Sequence, residues 1–242
     1  MSLYSEFSEY YEETFPLRED VYCFLKAHFR ESDGKILDLG CGPGHYCGRF
    51  QSDGYDALGI DLDEEMISAA RKKYPKARFS CMNMIGIDTL KEKFHTIYSI
   101  GNVLAHVSLY ELHSLLPEIR KLLYPHGYWI FQVVNWNSIL TRQQYIFPVK
   151  SLAGGKITFH REYANISEKH VLFRSFMKSG DAFVFDEQTT LYPLRSGEYL
   201  KLHQKAGFQP VGMYADFKKS RYKKEADSGA VFVFSRDHSG VP

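Results

Sequence analysis

Residues 36–46, ILDLGCGPGHY, constrain this chain more than any other stretch. An apolar run holding Asp38 passes at once into three glycines at alternate positions, Gly40, Gly42 and Gly44. Glycine loses more backbone freedom on ordering than any other residue, so such a cluster marks a sharp turn or a surface that something approaches closely. On its own it is no more than a tight connection between two elements. Its meaning depends on what surrounds it.

The apolar period switches repeatedly around this turn. Residues 17–30 predict a helix, 35–39 a strand, 45–54 a helix stopping at Gly54, and 56–61 a second strand. A helix follows over 63–74, with acids in its first turn and Arg71, Lys72 and Lys73 in its last, as the macrodipole favours. Strands are expected at 77–82, 94–101 and 127–135, with a helix over 111–124 that Pro117 should kink or interrupt. Continuous apolar strands alternating with helices imply βαβ units, a sheet covered on both faces and right-handed crossovers. The expected fold class is α/β, doubly wound and Rossmann-like.

After residue 137 the pattern changes. Residues 156–166, 169–180 and 181–194 alternate like antiparallel strands, with a turn at Ser179–Gly180–Asp181. A helix from Ser196 to Gly207 and two strands, 208–217 and 230–236, complete the reading. The expectation is one domain over 1–242: a seven-stranded, mostly parallel sheet built from 30–137 and 196–236, and an antiparallel β insertion over 138–195 capping the active site. A helical lid is expected over 1–30, with Tyr4, Tyr10 and Tyr11 turned inward.

Composition narrows the partners. The formal net charge is +1, which gives no global attraction to nucleic acid or to an anionic membrane surface. The basic run KKSRYKK (218–224) reads as a solvated loop. No apolar run approaches the roughly 18–20 residues of a membrane span, and no basic segment followed by an apolar one opens the chain. Cys23, Cys41, Cys47 and Cys81 match no metal spacing and read as buried free thiols of a reducing compartment, with the cytoplasm as the expected location.

Asp61 ends the second predicted strand, 21 residues after Gly40. In doubly wound folds a carboxylate there accepts hydrogen bonds from ribose hydroxyls, so the ligand contains a nucleoside. Asp61 alone would read equally well as an acid favouring a helix N-terminus. A dinucleotide fingerprint needs a third glycine where this chain has His45, and the lysine of a phosphate-binding loop is absent. Asp38 beside the turn suits a positively charged ligand better than a pyrophosphate.

Together, ILDLGCGPG and LGIDLDEEMISAAR resemble the class I S-adenosylmethionine (SAM)-dependent methyltransferases, over roughly residues 30–135. The resemblance implies SAM as cofactor, S-adenosylhomocysteine as product and no metal. It sets Asp38, Gly40, Gly42 and Gly44 against the methionyl end, Asp61 on the ribose and Leu62 on the adenine. Asn83 and Met84 follow the third strand at the family's Gly-Asp-Met-like step, where the Asn83 amide can still accept from an adenine amino group. Ile100 and Asn102 fall on the rim past the fourth strand, where open α/β sheets bind ligands.

A weaker similarity covers most of the chain. GNVLAH, VVNWNSIL, LYPLRSGEYLKLHQKAGF and DFKKSRY occur in that order, as in the glycine and sarcosine N-methyltransferases. This implies a small-molecule acceptor methylated at an amine nitrogen. Methyl transfer from a sulfonium depends mainly on positioning, so no strong base need be visible. The catalytic candidates are Asn135, which matches a substrate-contacting asparagine of that group, and His106, which fits a core histidine as readily. Arg161 alternates with Phe159 and Tyr163 and is expected to point inward as a carboxylate fork, ahead of Arg174 and Arg195. Tyr192 and Tyr10 could offer an oxygen or a ring face to the sulfonium, although with 17 tyrosines most are structural. The alternatives are O- or C-methylation of another metabolite and a non-catalytic SAM-binding protein; His45 and Asp38 oppose a dehydrogenase. A monomer or homodimer is expected.

Overall fold

The computed structural model describes residues 10–29 and 34–236. Tyr4 and the first part of the expected lid lie outside the described residues. The central sheet has seven strands: β1 (Lys35–Leu39), β2 (Asp56–Asp61), β3 (Arg78–Cys81), β4 (Phe94–Ser99), β5 (Leu123–Val134), β11 (Gln209–Tyr214) and β12 (Gly229–Ser235). Their order is β11-β12-β5-β4-β1-β2-β3. β12 runs antiparallel to both of its neighbours, and every other pairing in this sheet is parallel. The order reverses between β1 and β4, which opens a crevice beyond the carboxyl ends of those strands.

Alternation along the strands sends side chains to two cores. Ile97, Phe131, Phe232 and Phe234 pack under α5 (Leu109–Leu122) and α7 (Ser196–Lys205). Tyr98, Ile130, Val231 and Val233 meet α2 (Glu19–Lys26), α3 (His45–Ser52) and α4 (Glu64–Lys73) on the other face. α5 buries Leu112, Leu115, Leu116, Ile119 and Leu122, a helical stripe. Ser108 and Glu111 close a reciprocal cap at its start. Pro117 does not break it: proline removes the hydrogen bond to the carbonyl of His113, and both residues are exposed, so that carbonyl faces water.

The insertion forms a separate antiparallel sheet of β6 (Tyr145–Ile146), β7 (Lys150–Leu152), β8 (Ile157–Ala164), β9 (Val171–Ser179) and β10 (Ala182–Leu191). Its Phe159, Ile157 and Met177 pack with Met66 of α4, which seats the sheet over the carboxyl edge of the core. Of the segment expected over 1–30 as a lid, the described residues form two short helices. α1 is the single turn Tyr11–Thr14, and α2 covers only part of the helix expected over 17–30. Glu12 bonds the Tyr74 hydroxyl at 3.1 Å and Glu13 accepts from the Ala153 amide at 2.9 Å, so α1 bridges core and insertion. Arg195 holds the N-cap position of α7 without a side-chain cap bond, its amide donating to Glu198 at 2.7 Å, while the Ser196 hydroxyl accepts from Asn137 of α6 (Trp136–Ile139). Of the cysteines, Cys41 and Cys47 are buried but Cys23 and Cys81 are exposed, contrary to the expectation of four buried thiols. No helix among the described residues is long and apolar enough to cross a membrane.

Candidate functional site

The glycine turn after β1 is left-handed at all three positions, with φ of +83° at Gly40, +53° at Gly42 and +75° at Gly44. A side chain at Gly40 would set its Cβ 2.5 Å from Val103, so the turn admits none. Gly44 starts α3 and packs against Phe79, behind the turn rather than on the cavity wall. The Gly42 amide donates to Asp61 Oδ2 at 2.8 Å and the Asp63 amide to Asp61 Oδ1 at 3.0 Å. The end of β2 is thereby fastened to the turn after β1.

A cavity of about 660 Å³ opens over this turn and continues beneath the insertion. Its core-side wall carries Asp38, Gly40, Gly42, Asp61, Leu62, Asn83, Met84, Ile100 and Asn102. His106 and Arg161 face the same space from the far side. The Asn83 side chain also accepts the Ile85 amide at 3.0 Å, capping the short helix Met84–Thr89. Asn102 holds a left-handed backbone, φ +66°, which asparagine tolerates. It accepts from the Val134 amide at 3.0 Å and donates to the Tyr163 hydroxyl at 3.4 Å, joining core to insertion.

The electrostatics of the two ends differ. Asp38 is 2% exposed, and its Oδ1 has no hydrogen-bond partner among the described residues. Burial, reinforced by the charge of Asp61, pushes its carboxyl up to about 7. An orphaned buried carboxyl oxygen beside a side-chain-free turn, with a second carboxylate at the next strand end, fits a ligand bearing an ammonium or sulfonium and a ribose. These residues therefore fit SAM. At the insertion end, burial pushes the Arg161 guanidinium below its usual range, and the His106 imidazole, exposed at its surface but desolvated by the cavity wall, is lowered as well. The imidazole makes no hydrogen bond to the described residues, and its lowering favours the neutral form.

Like Gly44, the expected catalytic residues Asn135 and Tyr192 are not on the wall. Asn135 is 1% exposed and faces away from the cavity. Its amide donates to the carbonyls of Lys224 and Asp227, both at 2.8 Å, and its oxygen accepts from Tyr222 at 2.7 Å and from Asn137 at 3.1 Å. It fixes the 222–228 loop to the end of β5. Tyr192 is also absent from the wall, where its neighbour Leu191 stands, and its amide donates to the Ala105 carbonyl at 2.7 Å. Arg174 is engaged by Glu162 and Asp186, and Arg195 by Glu168, so neither is a free fork. Several wall residues have no signal in the sequence, among them Phe15, Phe147 and Lys150, which lie in or beside very short elements.

A family model for a methyltransferase domain matches residues 36–127. The Bacillus subtilis (strain 168) protein YqeM, which carries a methyltransferase name, is 26% identical over 194 residues, 76% of this chain and 77% of that protein. A glycine/sarcosine N-methyltransferase of Halorhodospira halochloris is 22% identical over 211 residues, 84% of this chain and 76% of the relative. The SAM-bound structure of CalS10, an amino pentose methyltransferase from Micromonospora echinaspora, superposes with a TM-score of 0.73 over 98% of this chain and 99% of that one, at 17% identity. Sheet order, glycine turn, paired acids and relatives agree in supporting a class I SAM-dependent methyltransferase.

Proposed function

We propose that the chain methylates a small amine that also carries an acidic group, at the nitrogen. One observation carries this reading: Arg161 turns a guanidinium into the cavity shared with the glycine turn, and no carboxylate among the described residues pairs with it. Bound SAM would supply an activated methyl on a sulfonium. Asp38 and the backbone of Gly40 and Gly42 would hold its methionyl end, Asp61 the ribose, and Leu62 with Asn83 and Met84 the adenine. Ile100 and Asn102 would complete that wall. Arg161 would take the acceptor's acid and so orient its nitrogen. The neutral imidazole of His106 would receive the proton the amine sheds. The similarity to glycine/sarcosine N-methyltransferases supports an amine.

A second reading, methylation of oxygen, is favoured by the same open imidazole, because a hydroxyl needs a base more than an amine does. Release of S-adenosylhomocysteine, followed with matched acceptors, separates them. Turnover with amino acids and none with the corresponding simple amines supports the proposal. Turnover confined to hydroxyl compounds replaces it with the second reading.

A further inference from the structure

Arg161 is not the only cation on the insertion wall. Lys150 pairs with Phe159 across β7 and β8, and Arg161 lies two residues further along β8 on the same face. The two cations are therefore diagonal neighbours. Both stand over the Phe15 ring, Arg161 at 5.2 Å from its centroid and Lys150 at 4.7 Å. Lys150 is held below its usual range first by burial and then by the charge of Arg161. Two like charges on a partly buried wall, with no carboxylate among the described residues to offset them, form a place for an anion.

The surroundings of these charges are rings. Arg161 packs 4.5 Å from the Phe147 centroid and 5.6 Å from that of Phe159. Ring faces hold the guanidinium in place and leave its N–H edge for a ligand. The wall continues from Phe147 to Tyr163, centroids 5.0 Å apart, and from Tyr163 to Phe173 at 5.5 Å. An acceptor as small as glycine would satisfy the charges and leave this wall against water. A ring laid along it would be covered on one face by aromatic carbon.

We propose that the acceptor carries its acidic group on a ring-sized apolar body, with the acid against Arg161 and Lys150 and the ring along Phe147, Tyr163 and Phe173. This rests on the methyltransferase reading and specifies the acceptor within it.

The test is direct binding, independent of turnover. Benzoate, benzamide and acetate are titrated calorimetrically into the protein saturated with S-adenosylhomocysteine, and SAM into the free protein. Benzoate should bind about tenfold or more tightly than benzamide, which lacks the charge, and than acetate, which lacks the ring. Arg161→Gln should weaken benzoate by about tenfold and Arg161→Lys should restore part of the loss. Lys150→Met should weaken it by about threefold. Benzamide or acetate binding as well as benzoate, no benzoate binding, or an unaffected Arg161→Gln protein overturns the inference. So does an Arg161→Gln protein that loses SAM and keeps benzoate, since the cations would then serve the cofactor. If SAM binds the wild type and benzoate shows no preference, only this inference falls; if SAM itself does not bind, the methyltransferase reading falls with it.

Discussion

The carboxylate of Asp61 accepts the Gly42 amide at 2.8 Å, so one side chain both fastens the glycine turn and supplies the acid that we propose for the ribose. Its remaining lone pairs are left for a ligand. Asp61→Ala should cut SAM affinity by ~10–100-fold, the loss expected for hydrogen bonds to a charged group of ~1.5–3 kcal/mol. Titration calorimetry reads this directly. An unchanged dissociation constant would remove Asp61 from the cofactor site.

Asp38 makes cofactor binding depend on pH. Its carboxyl, ordinarily near 3.8, is raised to about 7 by burial and then by Asp61. The folded chain thus keeps a proton that the unfolded chain gives up. The stability this confers is complete below 3.8 and is lost as pH rises through about 7. A cationic ligand reverses the preference and expels the proton. SAM affinity should climb by about tenfold per pH unit toward neutrality and then level off. Titrations in two buffers of different ionisation enthalpy count the released proton, and Asp38→Asn should abolish it.

His203 should limit stability at acid pH. Its Nε2 accepts from Trp129 Nε1 at 2.9 Å, so Nδ1 carries the proton and donates to the Tyr199 carbonyl at 2.7 Å. It is fully buried and stacks on Phe131 and Phe234. Burial lowers it from 6.5 to about 3. This contribution is intact above 6.5 and is lost as pH falls toward about 3. His203→Ala should cost ~3 kcal/mol in urea unfolding, from the cavity and the orphaned indole N–H. SAM affinity of the folded protein should not change, because the residue lies off the cavity wall.

Asn135→Ala should act on stability, not on chemistry. Four hydrogen bonds to the 222–228 loop and Asn137 are lost, a cost of ~2 kcal/mol or more. SAM affinity and the acceptor KM should stay within about twofold, since a side chain remote from the ligand changes no contact with it. A large rise in KM with unchanged stability would return Asn135 to the acceptor site.

The strands of the core were legible because they are long, apolar and bounded by turn residues. Arg161 was legible for a related reason: its period-two alternation with Phe159 and Tyr163 assigned it to the inner face. The surroundings of Asn135 were not legible, because three of its four partners lie 87 to 92 residues away and two of them are backbone carbonyls, which leave no mark in a sequence. Lys150 and Phe147 were missed because β6 and β7 have two and three residues, too few to show a period. Pro117 misled: its penalty is small where the freed carbonyl meets solvent.

The place of β12 bears on how the protein is made. It fills the sheet between β5 and β11, yet it is synthesised only after the entire insertion. Until then β5 presents an open edge, and Phe131 lacks its stacked partner Phe232, 4.7 Å away in the finished sheet. A nascent chain must therefore hold an unfinished, sticky edge until the insertion, α7 and β11 have all been made. Assembly of the core is completed late and by a distant segment, so chaperone demand and aggregation in expression should respond to changes in β12 far more than to changes in the catalytic wall.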